Sequence, residues 1–216
     1  MMTLNQYVQS NGLTGHPELG MVLDELARLL AQEEASWLLG GSSSLWLQGV
    51  QLSSEPRDID IYCDLSDANL LHNKLAKYSI DKPVMDTSGL YRSLLSHYVL
   101  MSKPIELVGG FEVSADGGMY QVQIEALLYP YAPEVVPNLK LMPLPHELMF
   151  NILRERKDRY LPIAEHMSRQ LDVHLPLISS LLLSSANRWT KDQILKLGEV
   201  LRAPQLVVVW EKGLRR

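Results

Sequence analysis

The sequence predicts an α/β (α+β) fold, a small mixed sheet with flanking helices followed by a helical C-terminal subdomain. Segments alternating in the two-residue period of strands are interleaved with segments of helical spacing up to about residue 143. Beyond Pro145 only helical patterning remains, and no internal repeat, low-complexity run or long linker divides the chain. The expected division is residues 1–143 for the core with its N-terminal helix and residues 144–216 for the helical subdomain.

Taken in order, Leu19, Val22, Leu23, Leu26, Leu29 and Leu30 recur at helical spacing and predict a helix from Pro17 to about Glu34. Ser36–Leu39 reads as a short buried strand closed by Gly40-Gly41-Ser42. Ser43–Leu47 reads as a short helix that Ser42 or Ser43 can cap. Gln48–Pro56, with Gly49, two serines and Pro56, is a loop. Ile59–Cys63, after Asp58, alternates acidic and apolar residues as a strand does. Ser66 or Asp67 can cap a helix to about Tyr78. Strands follow at His97–Met101 and Ile105–Val108, with extended pieces near Phe111–Ser114 and Tyr120–Ile124. The helical remainder is expected to break near Pro162, Pro176 and Pro204.

Composition narrows the function classes. Hydrophobic residues make up 46% and charged residues 21% of the 216, which describes a globular chain. A formal net charge of −5 gives no support to broad nucleic-acid binding. The single cysteine, Cys63, excludes an intramolecular disulfide framework and suits a reducing compartment. The opening MMTLNQYVQSNG lacks the basic start and apolar run of a signal peptide, and no apolar stretch approaches the ~20 residues that span a bilayer. The expectation is a cytoplasmic protein with no membrane partner and an open oligomeric state.

The segment WLLGGSSSLWLQGVQLSSEPRDIDIYCD, residues 37–64, carries the chemistry. Residues two apart on a strand share a face, so Asp58 and Asp60 point together while Ile59 and Ile61 turn to the core. Paired carboxylates repel each other, and a fold tolerates them most readily around a cation. An oxygen-only donor set favours Mg²⁺ or Mn²⁺. Upstream, a strand ending in Gly-Gly-Ser and feeding a helix exposes backbone N–H groups that an anion can approach closely. A phosphate-binding turn beside a metal-binding acidic strand points to phosphoryl chemistry.

These residues resemble the signature of the nucleotidyltransferase fold superfamily, typified by DNA polymerase beta and the minimal nucleotidyltransferases. Gly40, Gly41 and Ser42 match its glycine turn, and Asp58-Ile59-Asp60-Ile61 its acidic strand. The Gly-Gly-Ser-Ser-Ser-Leu-Trp-Leu run and Arg57 are similar to the bacterial branch of antibiotic- and toxin-type enzymes. The resemblance implies a Mg²⁺-dependent transfer of a nucleoside monophosphate from an NTP, with ATP expected, to a hydroxyl-type acceptor, releasing pyrophosphate. It implies that Asp58 and Asp60 hold two metal ions, with a third carboxylate on a neighbouring strand. Glu106 in KPIELVGGF fits that place, flanked by Ile105 and Leu107; Glu112 and Glu125 compete with it. Gly40, Gly41, Ser42, Arg57 and Lys157 are the implied nucleotide-binding residues. HELMFNILRERKDRY is similar to the helix that such relatives place after the sheet. Asn151 stands where their lysine is expected, leaving Lys157 or Arg154 to replace it. The acceptor is a small molecule, a tRNA end or a protein side chain.

Against these stand plainer readings. Asp58 and Asp60 could belong to a solvated edge strand, Glu106 to an exposed one, and Gly40-Gly41 to an ordinary turn. The cluster Arg154, Arg156, Lys157 and Arg159, interleaved with Glu155 and Asp158, reads as a solvated helix end. The histidines show no metal spacing, and Walker, Rossmann and Gly-x-Ser-x-Gly patterns are missing. The alternative function is a catalytically inactive protein on the same fold that binds a nucleotide or a partner. The helices after about residue 160 are expected to close one side of the cleft and supply acceptor specificity.

Overall fold

The computed structural model describes residues 2–13, 16–31 and 34–214. A mixed sheet is built from β1 (Trp37–Gly40), β2 (Ile59–Cys63), β3 (Val84–Asp86), β4 (Tyr91–Leu100), β5 (Lys103–Ala115) and β6 (Gly118–Gln121), in the order β1-β2-β5-β4-β3 with β6 also on β5. β2 and β5 run parallel, and the other pairs are antiparallel. Around it lie α1 (Leu4–Ser10), α2 (Pro17–Leu30), α3 (Gly41–Leu47) and α4 (Ala68–Leu75). A small hairpin of β7 (Glu134–Val136) and β8 (Leu139–Lys140) precedes five helices: α5 (Leu144–Leu153), α6 (Lys157–Ser168), α7 (Leu171–Leu183), α8 (Lys191–Val200) and α9 (Gln205–Gly213).

Strand alternation divides the core in two. Ile59, Ile61, Ile105, Leu107 and Tyr98 face α2 and α4 and pack with Leu19, Leu23, Leu26 and Leu71. Tyr62, Val108 and Phe111 face the other way and pack with residues of α5, α6 and α7. All ten residues of α5 are buried, so this helix is an internal strut between the sheet and α6–α9.

Several expectations need correction. Ile105–Val108 and Phe111–Ser114 are halves of one strand, β5. Gly109-Gly110 mark a bulge within it, with Gly110 at φ +61° and the register shifting between Arg92 and Leu94 on β4. β4 likewise begins six residues earlier than expected, at Tyr91. Ile124 belongs to a wide helical turn, not to β6. α3 starts at Gly41 with no side-chain cap, so Ser42 and Ser43 lie inside the helix. α2 ends at Leu30, and residues 32–33 of its predicted tail lie outside the described residues. α4 ends at Leu75 and runs into a single tight turn to Tyr78.

Pro162 and Pro176 do not break the chain; each is the sixth residue of its helix. At that depth a proline forfeits one bond near the helix start, where four N–H groups already lack partners. The break before α6 instead contains Glu155, at φ +57°. Near Pro204 the chain does turn, into α9. Sequence patterning missed α1, which is closed by a Thr3–Gln6 capping box, and the short strands β3, β7 and β8.

Candidate active site

The site starts at the junction of β1 and α3. Gly41 has φ +62°, and a Cβ built there would lie 1.8 Å from Asp60 Oδ2. A Cβ on Gly40 would lie 2.4 Å from the Tyr62 ring. Both positions must therefore be glycine for β2 to press its site-facing side chains against the turn. The Ser43 hydroxyl donates to the Asp58 carbonyl at 2.9 Å, tying the turn to the start of the acidic strand.

Register then aligns the polar groups. Asp60 is paired with Glu106 across the parallel β2–β5 ladder, and Glu106 with His97 across β5–β4. Directly paired residues project to one side of a sheet, so Asp60, Glu106 and His97 form a row. Asp81 fixes the imidazole, accepting the His97 backbone N–H at 2.8 Å and contacting Nδ1 at 2.5 Å. His97 Nε2 stands 4.0 Å from Glu106 Oε1.

Asp60 and Glu106 of this row line a cavity of about 360 Å³ that also takes in Gly41, Ser42, Asp58, Asp86 and Tyr91, while His97 stands outside the lining. Its far wall comes from α5 and the start of α6: Glu147, Phe150, Asn151, Arg154 and Arg159. Glu147 is 2% exposed and accepts the Gly41 N–H at 2.8 Å. Gly41 is thus clasped between two carboxylates, Asp60 at its α-carbon and Glu147 at its amide.

The electrostatics follow from this crowding. Burial, and then the charges of Asp58, Glu106 and Glu147, push the Asp60 carboxyl up to about 8, while Arg154 pulls against them. Burial raises Glu147 to about 7 despite the Gly41 hydrogen bond and Arg154. Burial also raises Glu106, which His97 partly offsets. The crowded acids thus retain protons near neutral pH, because burial and mutual repulsion outweigh the two lining arginines. Among the described residues no group of three or more His, Cys, Asp or Glu side chains is placed to hold a metal ion. The donor chemistry nonetheless suits a hard cation: oxygens only at Asp58, Asp60 and Glu106, with a mutual repulsion that such an ion would relieve.

Of the residues singled out from sequence, Asp58, Asp60, Glu106, Gly41 and Ser42 line this cavity. Gly40 lies behind it against Tyr62. Arg57 is exposed and is not part of the lining. Lys157 opens α6 on a different groove, with Glu155 and Lys196. Neither Glu112 nor Glu125 lines the cavity; Glu112 pairs with Arg92 and Gln121 in the sheet, and Glu125 is exposed. The basic cluster divides: Arg154 and Arg159 line the cavity, whereas Arg156 turns outward to Asp158 at 2.7 Å. Helices α7–α9 contribute no lining residue, so the expected closure of the cleft is made by α5 and Arg159 alone.

Sequence reasoning missed Glu147, Asp86 and Tyr91. For Glu147 a signal was available. Glu147, Asn151 and Arg154 stand at i, i+4 and i+7 along and just beyond a helix that is apolar elsewhere except at His146, a polar stripe with no reason to be buried unless it lines something.

No family model matches the sequence, and no curated relative does either. Among solved structures the chain is similar to a candidate nucleotidyltransferase from Thermotoga maritima, at 22% identity over 75% of this chain and 98% of that one, with a TM-score of 0.58. It is more loosely similar to the antibiotic-resistance factor ANT(2″)-Ia. Its solution structure aligns at 8% identity over 74% of this chain and 89% of that one, with a TM-score of 0.46. Its complex with adenylyl-2″-tobramycin aligns at 9% over 74% and 95%, with a TM-score of 0.45. The last two likenesses are too loose to bear on the site. The first shows the architecture: the chain has the nucleotidyltransferase fold.

Proposed function

We propose that the chain is a metal-dependent nucleotidyltransferase that moves a nucleoside monophosphate from an NTP, ATP first among them, to a hydroxyl-type acceptor. The observation that carries this reading is the enclosure of Asp60 among Asp58, Glu106 and Glu147, hard against the Gly41 turn, in a cavity on this fold. In a protein that only folds, such crowding costs stability and returns nothing.

Asp58 and Asp60 would hold Mg²⁺ or Mn²⁺, with Glu106 completing the donor set toward the acceptor. When bound, the ions acidify the acceptor hydroxyl and offset the charge of the leaving pyrophosphate. The chain's own groups do the rest. Gly41 and Ser42 offer the phosphate seat, the Gly41 amide being held by Glu147 in the free chain. Arg154 and Arg159, rather than Arg57 and Lys157, supply positive charge to the polyphosphate. Glu106 is the base that can take the acceptor proton as the acceptor oxygen bonds to the α-phosphorus and the bond to the β-phosphate bridge breaks. Residues 1–143 thus carry the carboxylates proposed to hold metal, and residues 144–216 carry Glu147 and the arginines.

Incubating the purified chain with a cell extract and ATP labelled at either the α- or the γ-phosphate tests this. Label should pass to a product from the α-position only, and EDTA or Asp58→Asn should abolish it. Labelling from the γ-position would instead indicate phosphoryl transfer. No product with either label, despite ATP binding, would favour an inactive nucleotide-binding protein.

A further inference from the structure

Arg154, the residue that closes α5, is held in an unusual way. Its Nε and Nη2 both donate to Asn151 Oδ1, at 3.1 and 2.9 Å. Asn151 is 1% exposed, and its Nδ2 donates to the Glu147 carbonyl at 2.7 Å. That bond fixes which way the amide faces, so Oδ1 must point at the arginine. One flat face of the guanidinium lies 4.2 Å from the centre of the Phe150 ring. A guanidinium has five N–H groups, two in a side-on fork, two in an end-on fork and one outside both. Asn151 occupies the side-on fork, and among the described residues the end-on fork has no hydrogen-bond partner. Among the described residues no carboxylate lies within 4.0 Å of Arg154, although several line the same cavity.

We propose that Asn151 is a positioning residue that presents the free edge of Arg154, at full charge, as a fork for one phosphate of the nucleotide's polyphosphate. The proposal rests on the nucleotidyltransferase reading above. The chemistry explains why an amide suits this place. It holds the side-on edge with two hydrogen bonds to one neutral oxygen, less strongly than a carboxylate would, and leaves the charge for the ligand. Asn151 is then a fixture of the site and not the scar of a missing lysine.

Calorimetry with inorganic triphosphate and Mg²⁺ tests this on the full chain, with thermal melts confirming that each variant is folded. Arg154→Gln should weaken binding about thirtyfold, and Asn151→Ala about tenfold by freeing the side chain. Asn151→Asp keeps an acceptor oxygen but neutralises the arginine, and should also lose about tenfold; it serves if Asn151→Ala does not fold. Combining Asn151→Ala with Arg154→Gln should be no worse than Arg154→Gln alone, because Asn151 acts only through the arginine. Adenosine binding should be unchanged in all of them, which a general packing defect would not spare. Wild-type affinity for triphosphate in Asn151→Ala and Asn151→Asp, multiplying losses in the double variant, or a wild type that binds no triphosphate would each overturn the proposal. A wild type that behaves as expected here but transfers no nucleotide would overturn the nucleotidyltransferase reading and leave the fork standing.

Discussion

Asp60 carries the clearest consequences at the level of single residues. Its carboxyl is raised to about 8, so the folded chain holds that proton more tightly than the unfolded one. The stability it contributes is complete below about pH 4 and is lost as the pH rises through 8. Asp60→Asn should therefore melt level with wild type near pH 4 and above it at pH 8, by ~2 kcal/mol or about 4–8 °C. Mg²⁺ should raise the wild-type melting point at pH 8 and leave the variant unmoved; parallel curves for the two proteins across this range would sink the metal-site reading. Gly41→Ala should fare worse. Its Cβ would overlap Asp60 Oδ2 and force a left-handed backbone on alanine, so a loss of about 2–4 kcal/mol in denaturant titration is expected, with activity gone. Strand alternation made Asp58, Asp60 and Glu106 legible, because a two-residue period needs no knowledge of neighbours. Arg154 and Lys157 could not be told apart that way. Left-handed Glu155 lies between them, so the helical phase of α5 does not carry into α6.

Elements were legible where one period held throughout, as in β2 and α2, and not where a local device interrupted it. The Gly109-Gly110 bulge made β5 look like two strands, and two early prolines made α6 and α7 look broken. The hairpin joining β4 to β5 carries a device of the same kind. Leu100 pairs with Lys103, and the two residues between them, Met101 and Ser102, both have left-handed backbones, at φ 48° and 66°. Such a turn favours Asn-Gly, whereas methionine there is strained and 59% exposed. Replacing the pair with Met101→Asn and Ser102→Gly should stabilise by ~1 kcal/mol, seen as a melting point about 2–4 °C higher with activity unchanged. A lower melting point would show that Met101 contributes contacts its exposure does not reveal.

For the whole molecule, the division near residue 143 separates two patterns of secondary structure, but one of the two hydrophobic clusters crosses it. Leu38, Tyr62 and Val108 of the sheet share one hydrophobic cluster with Leu148, Ile163, Leu177 and Trp210 of the helices. Urea unfolding followed by tryptophan fluorescence and by circular dichroism should therefore give one coincident transition, and residues 1–143 expressed alone should not fold. Two separated transitions would mean that the helices are an independent unit. That shared core was invisible in the sequence, because apolar periodicity says which face is buried and not against what. The bond from the Gly41 amide to Glu147 spans 106 positions, and it sets an order in time. On the ribosome the glycine turn and the acidic strand emerge by residue 64, whereas Arg159 follows 95 residues later, roughly 5–20 s at ordinary synthesis rates. Until α5 and Arg154 emerge, the carboxylates have no opposing wall and no lining arginine, and the wall is complete only with Arg159. On the function proposed above, competence toward a nucleotide is thereby withheld from the unfinished polypeptide and arrives only with the fold that contains it.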